Sequence, residues 1–215
     1  MKNRLISLCF LGIGIFCISL ISCHNREKLP IYGERSPIQV MKDGKSQVDT
    51  QYFTIPNFRF LNQDSIWVSN QSLKGKIYIA DFFFTSCPTI CPIMQKNMAK
   101  IAETYTTDPG IYFTSFTIDP KHDNITRLKR YQNQLGTKNP HWSFLTGNRD
   151  SIYHLAENGF LVTAKTDSTA PGGYVHSGGL VLIDPFGRIR GVYDGTVDED
   201  ITRLTEDISI LKNEK

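Results

Sequence analysis

The pattern of apolar and polar residues divides the chain, from about residue 52 onward, into alternating strands and helices. An almost continuous apolar run over 76–84 is typical of a strand that is buried on both faces. The other predicted strands are, in chain order, 111–118, 142–145, 180–183 and 189–193. Apolar residues at helical spacing predict helices over 92–105, 124–135, 151–158 and 197–211.

Apolar residues from 53 to 68 flank the polar stretch 62–65, which predicts a hairpin before the buried strand. Strands then alternate with helices, and the chain closes with a second hairpin and a helix. This order predicts an α/β thioredoxin-like sandwich over 52–215 with an N-terminal hairpin extension.

The N-terminus has the features of a secretory signal, because Lys2 and Arg4 precede an apolar run over 5–21. The run ends in Leu-Ile-Ser-Cys, which resembles the lipobox of bacterial lipoproteins. We therefore expect residues 1–22 to be a lipoprotein signal peptide and Cys23 to become the lipidated first residue.

A transmembrane anchor is the alternative interpretation, and a membrane-spanning helix requires about 20 apolar residues. The run of 17 residues is short for that purpose and is interrupted by Gly12, Gly14 and Ser19. Both readings place the domain outside the cytoplasm, on the periplasmic side of a membrane. The polar segment 23–51, broken by prolines and glycines, is predicted to be a lipid-anchored tether with little to pack.

Composition and charge narrow the class of protein. With 40% hydrophobic and 21% charged residues, the chain is neither disordered nor collagen-like. Lys and Arg total 24 against 21 Asp and Glu, so the basic excess that a nucleic-acid-binding surface requires is missing. We expect a monomer without a nucleic-acid partner.

The cysteines carry the candidate chemistry. Cleavage before Cys23 removes Cys9 and Cys17, and lipidation occupies Cys23, so Cys87 and Cys91 remain. Such a pair in an oxidising compartment is a disulfide, a redox couple or a metal site. A structural disulfide across this short gap would stabilise little, because stabilisation grows with loop length.

The buried strand delivers both sulfurs to the start of a helix, where unsatisfied N–H groups and the helix dipole stabilise a thiolate. Two soft sulfurs select Cu(I), and they also admit Zn(II). The candidate third ligand is His176, since the loop before strand 180–183 faces the cysteines in a thioredoxin-like fold. His122, near Asp119, is a minor candidate. The less favoured histidines are His24, His141 and His154.

These residues together resemble the Sco/SenC family of thioredoxin-like copper proteins, which help assemble the dicopper centre of cytochrome c oxidase. The matching motifs are C-P-T-I-C-P at 87–92, T-I-D-P at 117–120 with Asp123, and V-H-S at 175–177 before L-I-D-P at 182–185. They occur in family order and span about 52–212.

The resemblance implies that Cys87, Cys91 and His176 bind copper as Cu(I) or Cu(II). It also implies that Asp119 accepts a hydrogen bond from a ligand or serves as a weak fourth donor, although Asp119 alone would suit a turn before Pro120. The implied function is that of a membrane-anchored extracytoplasmic copper chaperone. Its implied partner is the copper-receiving subunit of cytochrome c oxidase.

Two enzyme functions compete with a copper chaperone. A thiol–disulfide reductase would keep the oxidase copper-site cysteines reduced, using Cys87 and Cys91 as its redox pair. A peroxiredoxin-like peroxidase is disfavoured, because residues 82–86 lack the expected proline. The C-x-x-x-C spacing, and Ser177-Gly178-Gly179 where thioredoxins have a proline, argue against a simple thioredoxin.

We predict that Cys23 is lipidated and that the protein fractionates with membranes. Cys23→Ala should release or mislocalise the protein, because the acyl chains supply the anchor. Intact-mass spectrometry tests this, and an unmodified Cys23 with residues 1–22 still attached would contradict the lipoprotein assignment.

Overall fold

The computed structural model describes residues 28–214, with the backbone alone for four of them: Thr166, Pro171, Val175 and His176. The signal peptide and the lipidation site at Cys23 lie outside the described residues. Between residues 28 and 214, no helix has both the length and the apolar character needed to cross a membrane.

Eleven strands and five helices are found in the described part of the chain. The strands are β1 (Arg35–Lys42), β2 (Lys45–Tyr52), β3 (Arg59–Asn62), β4 (Trp67–Ser69), β5 (Ile77–Phe83), β6 (Ile111–Thr117), β7 (Trp142–Thr146), β8 (Ala164–Thr166), β9 (Tyr174–His176), β10 (Gly179–Ile183) and β11 (Ile189–Asp194). The helices are α1 (Asn70–Leu73), α2 (Cys91–Thr104), α3 (Ile125–Leu135), α4 (Arg149–Asn158) and α5 (Asp198–Asn213). A 3₁₀ turn covers Pro171–Gly173.

A seven-stranded sheet, in the order β11-β10-β5-β6-β7-β3-β4, forms the centre of the domain. Strands β5, β6 and β7 are parallel, whereas β10 and β3 run antiparallel to their neighbours β5 and β7. The helices between the parallel strands supply the crossovers that parallel pairing requires. The arrangement confirms the predicted thioredoxin-like α/β sandwich.

Strand β5 lies at the centre of the core, and all seven of its residues are buried. The ring of Phe82 stacks on that of Phe116 with centroids 5.1 Å apart. Helix α2 contributes Met94 and Met98, which are fully buried at helical spacing. Burial on both faces explains why the β5 sequence is a continuous apolar run instead of an alternating one.

Most predicted elements are confirmed within about three residues at their ends, including the β3–β4 hairpin, in which Phe60 faces Val68. Two short elements were not predicted. Helix α1 is a single turn, and β9 places His176 in a strand paired with β8 and not in a loop. Strand β8, the partner of β9, covers only Ala164–Thr166.

The expected tether over 23–51 differs from the structure over its described part. Strands β1 and β2 pair in full register from Arg35–Tyr52 to Lys42–Lys45 and form a separate two-stranded hairpin. Nearly all its side chains are exposed, Met41 and Val48 among them. The hairpin therefore adds ordered backbone without adding to the core.

The segment before this hairpin is bound to the domain through the buried guanidinium of Arg190. Arg190 is 4% exposed and donates from Nη2 to the Leu29 carbonyl (2.7 Å) and from Nε to the Pro30 carbonyl (3.0 Å). Its charge is compensated by Glu214, 2.6 Å away, and by Asp184 at 3.2 Å. Buried charge is tolerated where it is paired and hydrogen-bonded in this way.

We call the residues that hold this N-terminal segment against the domain the Arg190 clamp (Leu29, Pro30, Asp184, Arg190 and Glu214). Leu29 makes two further contacts there. The Leu29 amide donates to the Glu214 carboxylate, and the Leu29 side chain is 5% exposed. The clamp lies beside the first residues of β5, since Ile183 faces both Tyr78 and Ile189.

We predict that Arg190→Met lowers the free energy of unfolding by about 3 kcal/mol, because the largely buried carboxylate of Glu214 loses its counter-ion, whereas Asp184 keeps Arg188 at 2.7 Å. It should also raise the hydrogen-exchange rate of the Leu29 amide. Lys129→Met is the control, because its pair with Asp64 is 45% and 42% exposed and should contribute less than about 1 kcal/mol. Urea titration measures both variants, and equal losses would contradict a structural role for the clamp.

Candidate functional site

The cysteine loop connects the end of β5 to the start of α2. Phe84, the last apolar residue of the strand run, is 1% exposed, and its carbonyl accepts a hydrogen bond from the Cys87 amide (3.2 Å). Cys91 is the first residue of α2, with Pro92 in the first turn, where its missing N–H costs nothing. The sequence therefore holds both thiols at a helix N-terminus, as predicted.

The two cysteines are not joined in a disulfide and are almost entirely buried, with Cys87 9% and Cys91 1% exposed. A hydrogen bond between the Cys91 and Cys87 thiols, together with burial, raises the pKa of Cys91 far above its usual range. Cys91 therefore keeps its proton at neutral pH unless a cation replaces it. A soft metal ion shared by the two sulfurs is such a cation.

A buried carboxylate network lies in β5 before the cysteine loop. Asp81 is fully buried and accepts hydrogen bonds from the Gln95 amide and the Ser115 hydroxyl. Ser115 also accepts from the Trp142 indole N–H at 3.0 Å. This network joins β5 to β6, β7 and α2 directly beneath the thiols.

A second buried carboxylate, Asp123, fixes the first residue of the loop. It accepts hydrogen bonds from the Thr85 amide (3.0 Å), the Thr85 hydroxyl and the Thr117 hydroxyl (2.6 Å). Arg127 lies 3.5 Å from the same carboxylate and donates to the Thr85 hydroxyl at 2.7 Å. Sequence analysis matched Asp123 to a family motif but gave it no such role, since its partners lie in three elements.

On the other side of the site, the turn before β9 packs against the cysteine loop. Gly172 adopts φ +79°, and a Cβ there would stand 2.8 Å from the Phe84 ring and 3.3 Å from Pro88. The Tyr174 ring is 5.0 Å from that of Phe84. Strand β9, which carries His176, thus begins beside the loop that carries the cysteines. The side chain of His176 is outside the described part of the structure.

Asp119 connects the end of β6 to β9. It is 3% exposed and contacts the Nδ1 atom of His122 at 2.8 Å. Burial, followed by a hydrogen bond with Asp119, raises the pKa of Tyr174 to about 12. The described side-chain contacts of Asp119 are thus to Tyr174, two residues before His176, and to His122, which confirms that His122 lies near Asp119.

Of the less favoured histidines, His24 lies outside the described residues, and His141 and His154 make ordinary contacts. The His141 ring is 4.8 Å from that of Tyr112 at the start of β6, and the Asn158 amide approaches His154 Nδ1 at 3.2 Å within α4. Among the side chains that are described, no three His, Cys, Asp or Glu residues cluster as a metal site. Of the predicted ligand set, the structure describes the side chains of Cys87 and Cys91.

Comparison with known proteins gives one consistent family. The SCO1/SenC family model matches residues 46–211. The SCO1 protein homolog of Bacillus subtilis is 30% identical over 174 residues, covering 79% of this chain and 90% of that protein. A provisionally named copper-binding protein of Stutzerimonas stutzeri is 31% identical over 143 residues, covering 64% of this chain and 67% of that protein.

A solved structure agrees with the sequence matches. The SCO1/SenC family lipoprotein of Bacillus anthracis superposes with a TM-score of 0.69 at 29% identity, and covers 74% of this chain and 95% of that one.

We predict that Gly172→Ala destabilises the protein by about 2 kcal/mol more than Gly173→Ala, because the added methyl group meets the buried Phe84 ring. Gly173 is the matched control, since its φ of +83° carries the same backbone strain while a Cβ there meets open space. Gly172→Ala should also speed the reaction of Cys87 with a thiol reagent. Equal stabilities and equal thiol reaction rates would contradict packing of this turn on the cysteine loop.

Proposed function

This chain belongs to the SCO1/SenC family, and we propose that it is a membrane-anchored extracytoplasmic copper chaperone. Cys87, Cys91 and His176 bind the copper in this proposal. The chaperone passes the metal to the copper-receiving subunit of cytochrome c oxidase during assembly of the dicopper centre, the partner that the motif resemblance implies.

The observation that carries the proposal is the hydrogen-bonded, buried Cys87–Cys91 pair at the start of α2. Because the two thiols are hydrogen-bonded to each other, their sulfurs are close enough for one ion to bind both. Cu(I) accepts low coordination by soft ligands, so the pair alone suits it. The relative of Stutzerimonas stutzeri, named as copper-binding, supports the same metal.

His176 is the proposed nitrogen ligand. Cu(II) prefers a tetragonal set that includes nitrogen or oxygen donors, so two sulfurs need a further donor to hold this oxidation state. The packing of Tyr174 on Phe84 supports this role, because it brings the backbone two residues before His176 against the cysteine loop. Asp119 supports the site through Tyr174.

Release of copper to a partner proceeds by ligand exchange. Cys87 is more exposed than Cys91, and Pro88 and Thr89 beside it are exposed. An incoming thiolate or imidazole of the partner therefore reaches the metal first from the Cys87 side. Cys91 stays in the core, and its sulfur is the last to dissociate from the copper ion.

The anchor in this proposal is the lipid on Cys23, and the location is the outer face of a membrane. The lipobox-like sequence at residues 20–23 supports it. The similar protein of Bacillus anthracis is itself described as a lipoprotein.

The contact between the two thiols also favours a second function, that of a thiol–disulfide reductase. The Cys87 thiolate would attack a partner disulfide, forming a mixed disulfide and releasing one partner thiolate. Cys91 would then attack the Cys87 sulfur after losing its proton. The partner leaves as a dithiol, having gained two electrons, and a Cys87–Cys91 disulfide remains.

Metal analysis of the full chain in detergent tests the copper proposal. The reduced protein should bind about one copper ion, whereas the oxidised protein should bind none with comparable affinity, because a disulfide removes both thiolate ligands. Cys87→Ser should lose Cu(I) binding in the reducing condition as well. Equally tight binding by reduced and oxidised protein would move the copper site away from these cysteines.

We predict that His176→Ala lowers Cu(II) affinity by more than about 100-fold, beyond the loss expected from a residue that only supports a ligand. Its Cu(I) affinity should fall much less, because two thiolates remain. The control is His154→Ala, which removes an exposed imidazole from α4. Competitive titration with each copper state measures the affinities.

An insulin reduction assay on the same variants separates the two functions. A His176→Ala protein with unchanged Cu(II) affinity and spectrum would exclude His176 as a ligand. Efficient insulin reduction by both wild type and His176→Ala would favour the reductase instead, since dithiol exchange requires no histidine.

A further inference from the structure

A polar groove with a volume of about 650 Å³ opens beside the cysteine loop. It lies between Thr85 and the first turns of α3, and its walls include His122, Arg127, Arg130 and Gln134. The groove is open along one side and is large enough for several side chains of a bound segment. Neither the copper ligands nor the Arg190 clamp takes part in it.

Tyr131 connects this groove to the thiols. It lines the groove, and its ring is 5.3 Å from that of Phe83 at the end of β5. Burial is the main cause that raises the pKa of Tyr131 above its usual range, followed by the nearby Cys91. Thr85, two residues before Cys87, also lines the groove, so a molecule held there lies beside the cysteine loop.

The groove carries positive charge. Of the five Lys and Arg residues in 121–138, Arg127 and Arg130 line the groove, and the single acidic residue of that stretch is Asp123. The Asp123 carboxylate is fully buried behind Thr85, and its charge is compensated by Arg127 at 3.5 Å, so the uncompensated positive charge of the groove is that of Arg130. Arg130 is exposed, and no carboxylate in the described part of the chain pairs with it.

The two arginines are held differently. Arg127 is fixed by the Thr85 hydroxyl, two residues before Cys87, so its guanidinium is oriented before any ligand arrives. Arg130 lies one turn further along the same face of α3, because residues three apart are neighbours on a helix. One fixed guanidinium and one free to adjust suit carboxylates, which arginine binds in a bidentate manner.

We propose that this groove is the docking surface for an acidic segment of the protein that receives copper from the cysteine pair. The proposal rests on the proposed copper function and adds the recognition that this function requires. A bound acidic segment would place the partner's metal ligands at the exposed Cys87 side of the site. Positive charge at the groove would also raise the association rate and make it depend on salt.

The test compares the full chain in detergent with Arg130→Glu in the groove and Lys74→Glu, which makes the same charge change before β5 at the opposite end of the domain. The probes are a fluorescein-labelled hexaglutamate peptide and the soluble copper domain of the oxidase subunit from the same organism. Fluorescence anisotropy measures binding at two salt concentrations. Stopped-flow measurements give the rate of copper transfer to the oxidase domain.

Both probes should bind the wild type more weakly as salt rises. Arg130→Glu should bind each probe about tenfold more weakly, because an attraction is replaced by a repulsion, and should transfer copper more slowly. Lys74→Glu should change binding by less than about twofold. All three proteins should load the same amount of copper, because neither residue is a ligand.

Three results would overturn the docking proposal without touching the copper function. One is equal binding of the oxidase domain by all copper-loaded variants. Another is weaker hexaglutamate binding by Arg130→Glu with an unchanged transfer rate. The third comes from phosphatidylglycerol vesicles as an additional probe. It is Arg130-dependent binding to these vesicles without binding to the peptide or to the oxidase domain. Failure of the wild type to load copper would instead contradict the proposed function, and the anisotropy data would still decide whether the groove binds the acidic peptide and the oxidase domain.

Discussion

The geometry of the site depends on the buried carboxylate of Asp123. A charge removed from water is costly unless hydrogen bonds replace its hydration, and here Thr85 and Thr117 supply them. Since Thr85 follows β5 and Thr117 ends β6, one carboxylate fixes the cysteine loop to the neighbouring strand. Arg127 extends the same connection to α3 and to the groove. Replacement of Asp123 would therefore loosen the thiols and the proposed docking surface together.

The site combines protection of its sulfurs with access for a partner. Cys91 is buried in the core and keeps its proton because the pair is hydrogen-bonded and shielded from water. Cys87 is slightly exposed beside an exposed loop, which leaves one approach for ligand exchange. The turn at Gly172 covers the other side, where only the absence of a side chain allows the close contact with Phe84. A partner can therefore reach the sulfurs only from the Cys87 side, which lies next to the groove.

The sequence pattern predicted the elements that have a clear apolar period, and it missed the hairpin β1–β2, the clamp and strand β9, which have none. Strand β5 and the cysteines at the start of α2 follow directly from an apolar run and a helical period. The hairpin β1–β2 has too few apolar residues to stand out, because it covers no core. The clamp joins Leu29 to residues 161 and 185 positions later, and no local pattern signals such a contact. The three-residue strand β9 is too short for any periodicity.

The clamp and the thiols lie at opposite ends of β5, and this sets the orientation of the proposed chaperone at a membrane. The clamp is beside the first residues of β5, whereas the cysteine loop follows its last residue, about 20 Å further along the strand. With Cys23 lipidated as proposed, the six residues from there to Leu29 reach at most about 20 Å. The clamp end is therefore kept near the lipid surface, and the thiols point away from it. A copper-receiving site must then approach the end of the domain that is farthest from the membrane, where the basic groove opens beside the cysteine loop.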